Sequence, residues 1–294
     1  MRSLLSRLHA PTAAQCAHLC VVFALGATAC TTSLSSHQTA RTLAPGEFQI
    51  TGAITVPVAT SAVAGAIDLG DRAVDSIQTA NDDGESLSEE DQRDAIRAGL
   101  AIALFQPAAV PEAALRAGVA DRIDVGLHAN AQLLKPDIKY MFWDNDQGAA
   151  AAVSLGYAYH LGIGSSFLAP LFDILDYVKL GDYSRHDLDL GLHLSRDVDD
   201  WLKLYVAARY LVSFVSLDAD IERLQDATGV QVVQVEDTIH HFGGTGGLMV
   251  GYKYVFLHAE LSVFGVSFAP EVLGAPVQLG GLVVAPSLGL TLTF

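Results

Sequence analysis

Alternation with a period of two runs through this sequence and leaves few folds open to it. In the last nine residues, Leu288, Leu290, Leu292 and Phe294 take turns with Ser287, Gly289, Thr291 and Thr293. That repeat belongs to a β-strand, whose successive side chains point to opposite faces. It returns about ten times along the chain. Phe48, Ile50, Ile54, Val56 and Val58 share one face of a first candidate, and Gln49, Thr51 and Thr55 the other. Ala114 to Leu133 reads as a hairpin turning at Ala120-Asp121-Arg122. Ile138–Phe142, Ala149–His160, Leu188–Ser195, Leu202–Phe214, His241–Tyr252 and Val255–Val263 follow. A soluble sandwich has to hide such apolar faces from water, yet 51% of the residues are hydrophobic and only 17% are charged. Turning the apolar faces outward to lipid and the polar faces inward accounts for both figures. Lipid offers the backbone no hydrogen-bond partners, so a sheet in that setting has to close. The expected fold is all-β, a transmembrane antiparallel up-and-down β-barrel over residues 46–294, with about 10 strands (range 8–12).

The connections support this. Long ones at 59–111, near 161–184, at 217–238 and at 268–280 fall on one end. The turns at Asp121-Arg122, Asp144–Gly148, Arg196–Asp200 and Lys253 fall on the other, and a short connection at Lys135-Pro136 departs from the scheme. The insertion at about 60–110 is acidic and has helical spacing. Ser88 is placed to cap a helix carrying Ile96, Leu100 and Leu104. Together 59–111 and 217–238 hold 16 of the 33 acidic residues, which reads as a solvated surface. Gly148 to Pro170 is uncharged and long enough for a membrane helix, but its first half alternates like a strand. With a net charge of −16, the chain has no electrostatic basis for binding nucleic acid.

Three stretches carry a resemblance. The terminal strand ending on Phe294 resembles the carboxy-terminal assembly signal of bacterial outer-membrane β-barrel proteins, with Leu288, Leu290, Leu292 and Phe294 as its apolar positions. The run from Gly118 through Asp121-Arg122 to Leu127 resembles a turn-and-strand pattern of Gram-negative outer-membrane barrels. Arg2 and Arg7, the apolar run Val21–Ala29 and Ala27-Thr28-Ala29-Cys30 resemble a lipoprotein signal peptide, departing from the family at Ala27, where Leu is usual. The resemblance implies a signal peptide at 1–29, lipidation of Cys30 and both mature termini in the periplasm. It also implies outer-membrane lipid, lipopolysaccharide and the barrel-assembly machinery as partners. Residues 30–45, rich in Ser and Thr, read as a flexible lipidated tether. Cys16 and Cys20 fall in the leader, so the mature chain holds a single cysteine and neither a disulfide nor a cysteine metal site.

Alternation assigns the inward-facing polar groups. They are Asp124, His128, Lys139, His160, Asp187, Asp189, His193, Lys203, Arg209, His258 and Glu260. Histidines on separate strands suit a metal or proton-transfer site. The same groups also suit a polar network filling a narrow lumen, which is the expectation for a barrel of this size. His240 and His241 point to opposite faces of one strand. Gly243–Gly247 lacks the Gly-Lys-Ser/Thr that would make it a phosphate loop. No Gly-x-Ser-x-Gly elbow and no Asp-x-His of the omptin proteases is present, so no cofactor, metal or catalytic group is expected. The expected function is a non-enzymatic structural or surface barrel with a filled or narrow lumen. A narrow channel or facilitator for small solutes is the alternative, and an enzyme acting on lipid or peptide the least favoured.

Overall fold

The computed structural model describes residues 33–59, 109–161, 179–220, 233–272, 275–276 and 279–294, with Arg72, Asp75, Ser76, Thr79, Ser88, Glu90, Asp91, Asp94 and Arg97 from the intervening insertion. The wall consists of ten antiparallel strands among the described residues: β1 (Phe48–Thr55), β2 (Val110–Ala120), β3 (Ile123–Ala129), β4 (Leu133–Asp144), β5 (Ala149–His160), β6 (Lys179–Asp199), β7 (Leu202–Asp220), β8 (Val233–Tyr252), β9 (Val255–Ser267) and β10 (Gly281–Thr293). Each pairs with its sequence neighbour. β1 also pairs with β10, from Gln49↔Thr293 to Thr55↔Ser287, and this closes the barrel. Val58–Ala59 continues β1 along β10, and a two-residue ladder joins Glu271–Val272 to Ala275–Pro276. The first half of the uncharged stretch after Gly148 is strand β5, as its alternation requires, and residues 162–170 lie outside the described residues.

Inward and outward positions alternate as the sequence requires. Val153, Leu155, Leu188, Leu190, Leu192, Leu257, Leu288 and Leu290 lie exposed on the outer face, while Asp189, His193, His258 and Ser287 beside them are buried. Aromatic side chains mark two levels on the outside. Trp143, Trp201, Tyr252 and Tyr254 stand at the end with the tight turns, and Tyr157, Tyr159, Tyr210 and Phe214 further along the strands. Tyr210 of β7 follows Trp201, just before that strand, by nine residues, within the roughly 9–11 that a tilted strand needs to cross a bilayer.

The turn at Asp121-Arg122 is tight because Arg122 adopts φ +66° after a register shift between Gly118 and Ala120. The connection expected at Lys135-Pro136 lies elsewhere. Asn130 Oδ1 accepts from the Gln132 amide and the Asn130 amide donates to Leu133, so the turn is at 130–132. Lys135 and Pro136 lie inside β4, opposite His128 and Leu127. Strands β6 to β8 are the longest, and they extend into what the sequence suggests are loops at 161–184 and 217–238. In the insertion, the described residues after Ser88 are helical, and Ser88 Oγ caps the Asp91 amide at 3.2 Å as expected.

Candidate functional site

The lumen holds a charged network that side chains from neighbouring strands build row by row. On β2, Arg116 bridges Asp124 of β3 and Asp137 of β4, the latter at 2.6 Å. Lys139 Nζ lies 3.2 Å from Asp124. Asp189 of β6 accepts from Lys135 at 2.9 Å and from Arg209 Nη2 at 2.5 Å. Near the end with the long connections, Asp187 accepts from Arg185 Nε at 2.8 Å and lies 3.0 Å from His160 Nε2, and Arg185 also donates to Ser213. Each of these groups is almost wholly removed from solvent. A buried charge is tolerated only when it is paired and hydrogen-bonded, and each carboxylate here has a cation within reach.

A second layer of partners comes from a segment that is not part of the wall. Ser33, Leu34, Ser35, Ser36, His37 and Ala40 are buried inside the barrel. The composition that reads as a flexible tether belongs instead to a chain that fills the lumen. Small side chains let the segment fit, and its main chain, which pairs with no strand, is satisfied by wall side chains. Glu260 accepts from the amides of Ser36 and His37, both at 2.7 Å, and from Tyr205 Oη at 2.9 Å. Arg209 donates to the carbonyls of Leu34 at 2.5 Å and Ser35 at 3.1 Å. Lys139 donates to the carbonyls of Thr39 at 2.9 Å and Arg41 at 3.3 Å. Ser195 Oγ accepts from the Ala40 amide and Asp124 from the Leu43 amide. His37 Nε2 meets Ser287 Oγ at 2.8 Å, Ser35 Oγ pairs with Glu112, and Arg41 with Asp197. From Gly46, which bonds to Gly118 beside the first tight turn, the chain climbs past Asp124 and Ser195 to Glu260, and then to Arg209 and Ser262 in mid-strand. Ser33 is therefore inside the barrel. A cavity of only about 10 Å³ remains between this segment and Lys135, Asp137 and Asp189, room for about one water molecule.

Most of the inward groups expected from alternation take part. Lys203 does not: it is half-buried, with its Nζ 5.0 Å from the centre of the Phe256 ring and no carboxylate partner among its described contacts. The histidines do not converge. His128 lies 3.6 Å from Asp137, His193 bonds to Ser154, and His258 packs edge-on against His37, with ring centres 5.7 Å apart. No group among the described residues could hold a metal ion. Alternation missed Arg116, Lys135, Asp137 and Arg185. Lys135 and Asp137 share the parity of Lys139 and were hidden by reading Pro136 as a loop. His240 does face outward, stacked on Tyr210, and His241 is buried inside. Gly247 faces inward where a Cβ would overlap the Tyr205 ring, so that glycine makes room for the Tyr205–Glu260 contact and not for a phosphate.

No family model matches the chain, and no curated protein matches it. Among solved structures it is similar to Neisserial surface protein A, at 10% identity over 84% of this chain and 96% of that one, with a TM-score of 0.32. The attachment invasion locus protein Ail of Yersinia pestis matches at 9% identity over 85% and 99%, with a TM-score of 0.33. The toluene transporter TodX of Pseudomonas putida matches at 12% identity over 84% and 71%, with a TM-score of 0.28. The barrel assignment stands on the strand pairing and not on these likenesses.

Proposed function

We propose that this chain is a non-enzymatic outer-membrane β-barrel of a Gram-negative bacterium whose lumen is closed by its own residues 33–43. The observation that carries the reading is the burial of that segment on Glu260, Arg209 and Lys139. The apolar outer face and its two aromatic levels support a lipid surround, and the acidic insertion suits the lipopolysaccharide side. A role as an open channel would need a lumen free of this segment. A role as an enzyme has little support, because the His160–Asp187 pair is buried and Ser213 is engaged by Arg185. The refolded full chain should give no steady current in a planar bilayer, and the same chain without residues 33–43 should conduct. Steady conductance by the full chain would refute the closed-lumen reading. Cell fractionation should place the chain with outer-membrane lipid after insertion by the barrel-assembly machinery, and recovery in the soluble fraction would refute the location.

Cys30 and the leader lie outside the described residues. Lipidation of Cys30 remains part of the proposal, and the mass of the amino-terminal peptide tests it. Ser33, three residues further on, is buried in the lumen.

A further inference from the structure

The way the lumen holds residues 33–43 is that of a binding site for a ligand. Along Ser33–Leu43 the wall contacts go mainly to peptide groups. Glu260 takes two successive amides, Arg209 spans successive carbonyls and Lys139 two more. Recognition of this kind reads main-chain groups and asks of the side chains mainly that they be small. Ser35, Ser36 and Ala40 meet that demand: Ala40 packs among Met141, Ala150 and Ala152, and Ser36 Oγ lies 3.2 Å from Glu260, so a bulky group there would meet the buried Glu260–Tyr205 pair. The link to the barrel is an exposed turn, Ala44 to Glu47, so strand β1 does not depend on the segment for its own pairing.

We propose that the lumen is a peptide-binding site, occupied in cis by residues 33–43, that also accepts a polar peptide with small side chains supplied in trans. The proposal rests on the closed-lumen reading. To test it, a site-specific protease sequence is inserted between Pro45 and Gly46, and the full chain is refolded in detergent and cut. The cut segment should stay with the barrel on gel filtration. A tagged synthetic peptide of residues 33–43 should then replace it with saturable binding. Glu260→Gln should weaken that binding at least tenfold, and a peptide carrying Ser36→Trp should fail to compete. Departure of the segment with no saturable peptide binding overturns the proposal. So does a segment that stays but never exchanges, or a barrel that unfolds on cutting, since either makes the segment part of the fold. Strand-rich circular dichroism and heat-shifted gel mobility before cutting report on the barrel separately. If those are absent, the barrel reading fails as well.

Discussion

The two faces of each wall strand meet different demands. On the outside, Leu188, Leu190, Leu192 and Leu194 of β6 need only be apolar, and many residues would serve. On the inside of the same strand, Arg185, Asp187, Asp189 and His193 each have a specific partner on another strand: Ser213, His160, Arg209 and Ser154. The outer face is specified by class and the inner face by identity. The inner face should therefore be the one that single substitutions damage most.

The sharpest break is Arg116→Met. It strands Asp137 in a buried setting and leaves Asp124 with Lys139, and loss of one partner of such a pair costs about 3–5 kcal/mol. Urea unfolding in lipid vesicles, followed by Trp143 and Trp201 fluorescence, should show it. Adding Asp137→Asn should restore most of the loss, and Asp124 keeps Lys139. On the outside, Leu194 faces lipid midway between the two aromatic levels; Leu194→Arg should cost about 2–4 kcal/mol, while Leu194→Val stays within about 1 kcal/mol. A single neutral inner hydrogen bond is worth less. Thr51→Val removes the 2.7 Å contact to Thr291 and should cost about 1 kcal/mol. The smallest effect lies outside both faces. Lys253 occupies the tight turn before β9 with φ +55°, and Lys253→Gly should stabilise by less than about 1 kcal/mol. Equal sensitivity of Leu194→Val and Arg116→Met would undo the contrast between the faces.

The same contrast explains what the sequence makes legible. The ten strands and their inward parity are readable because lipid on one side and a polar lumen on the other write a period of two into every crossing. The pattern fades where β7 and β8 run past the upper aromatic level. There the outer pair Ser216↔Glu236 no longer needs to be apolar, so strand reads as acidic loop. Residues 33–43 carry no period at all. Their hydrogen bonds go to wall side chains and not to a ladder, and small polar residues selected to fit a narrow lumen look like those of a tether. Arg116 and Arg185 lie at readable parity, but nothing in a single strand says which carboxylate on a neighbour each will meet.

The central claim is that the segment before β1 is held inside a closed wall, and amide hydrogen exchange of the full chain in lipid vesicles tests it most directly. The account predicts that the Ser36 and His37 amides, bonded to Glu260, exchange as slowly as those of the wall strands. Exchange of both at the rate of an unstructured peptide would contradict it.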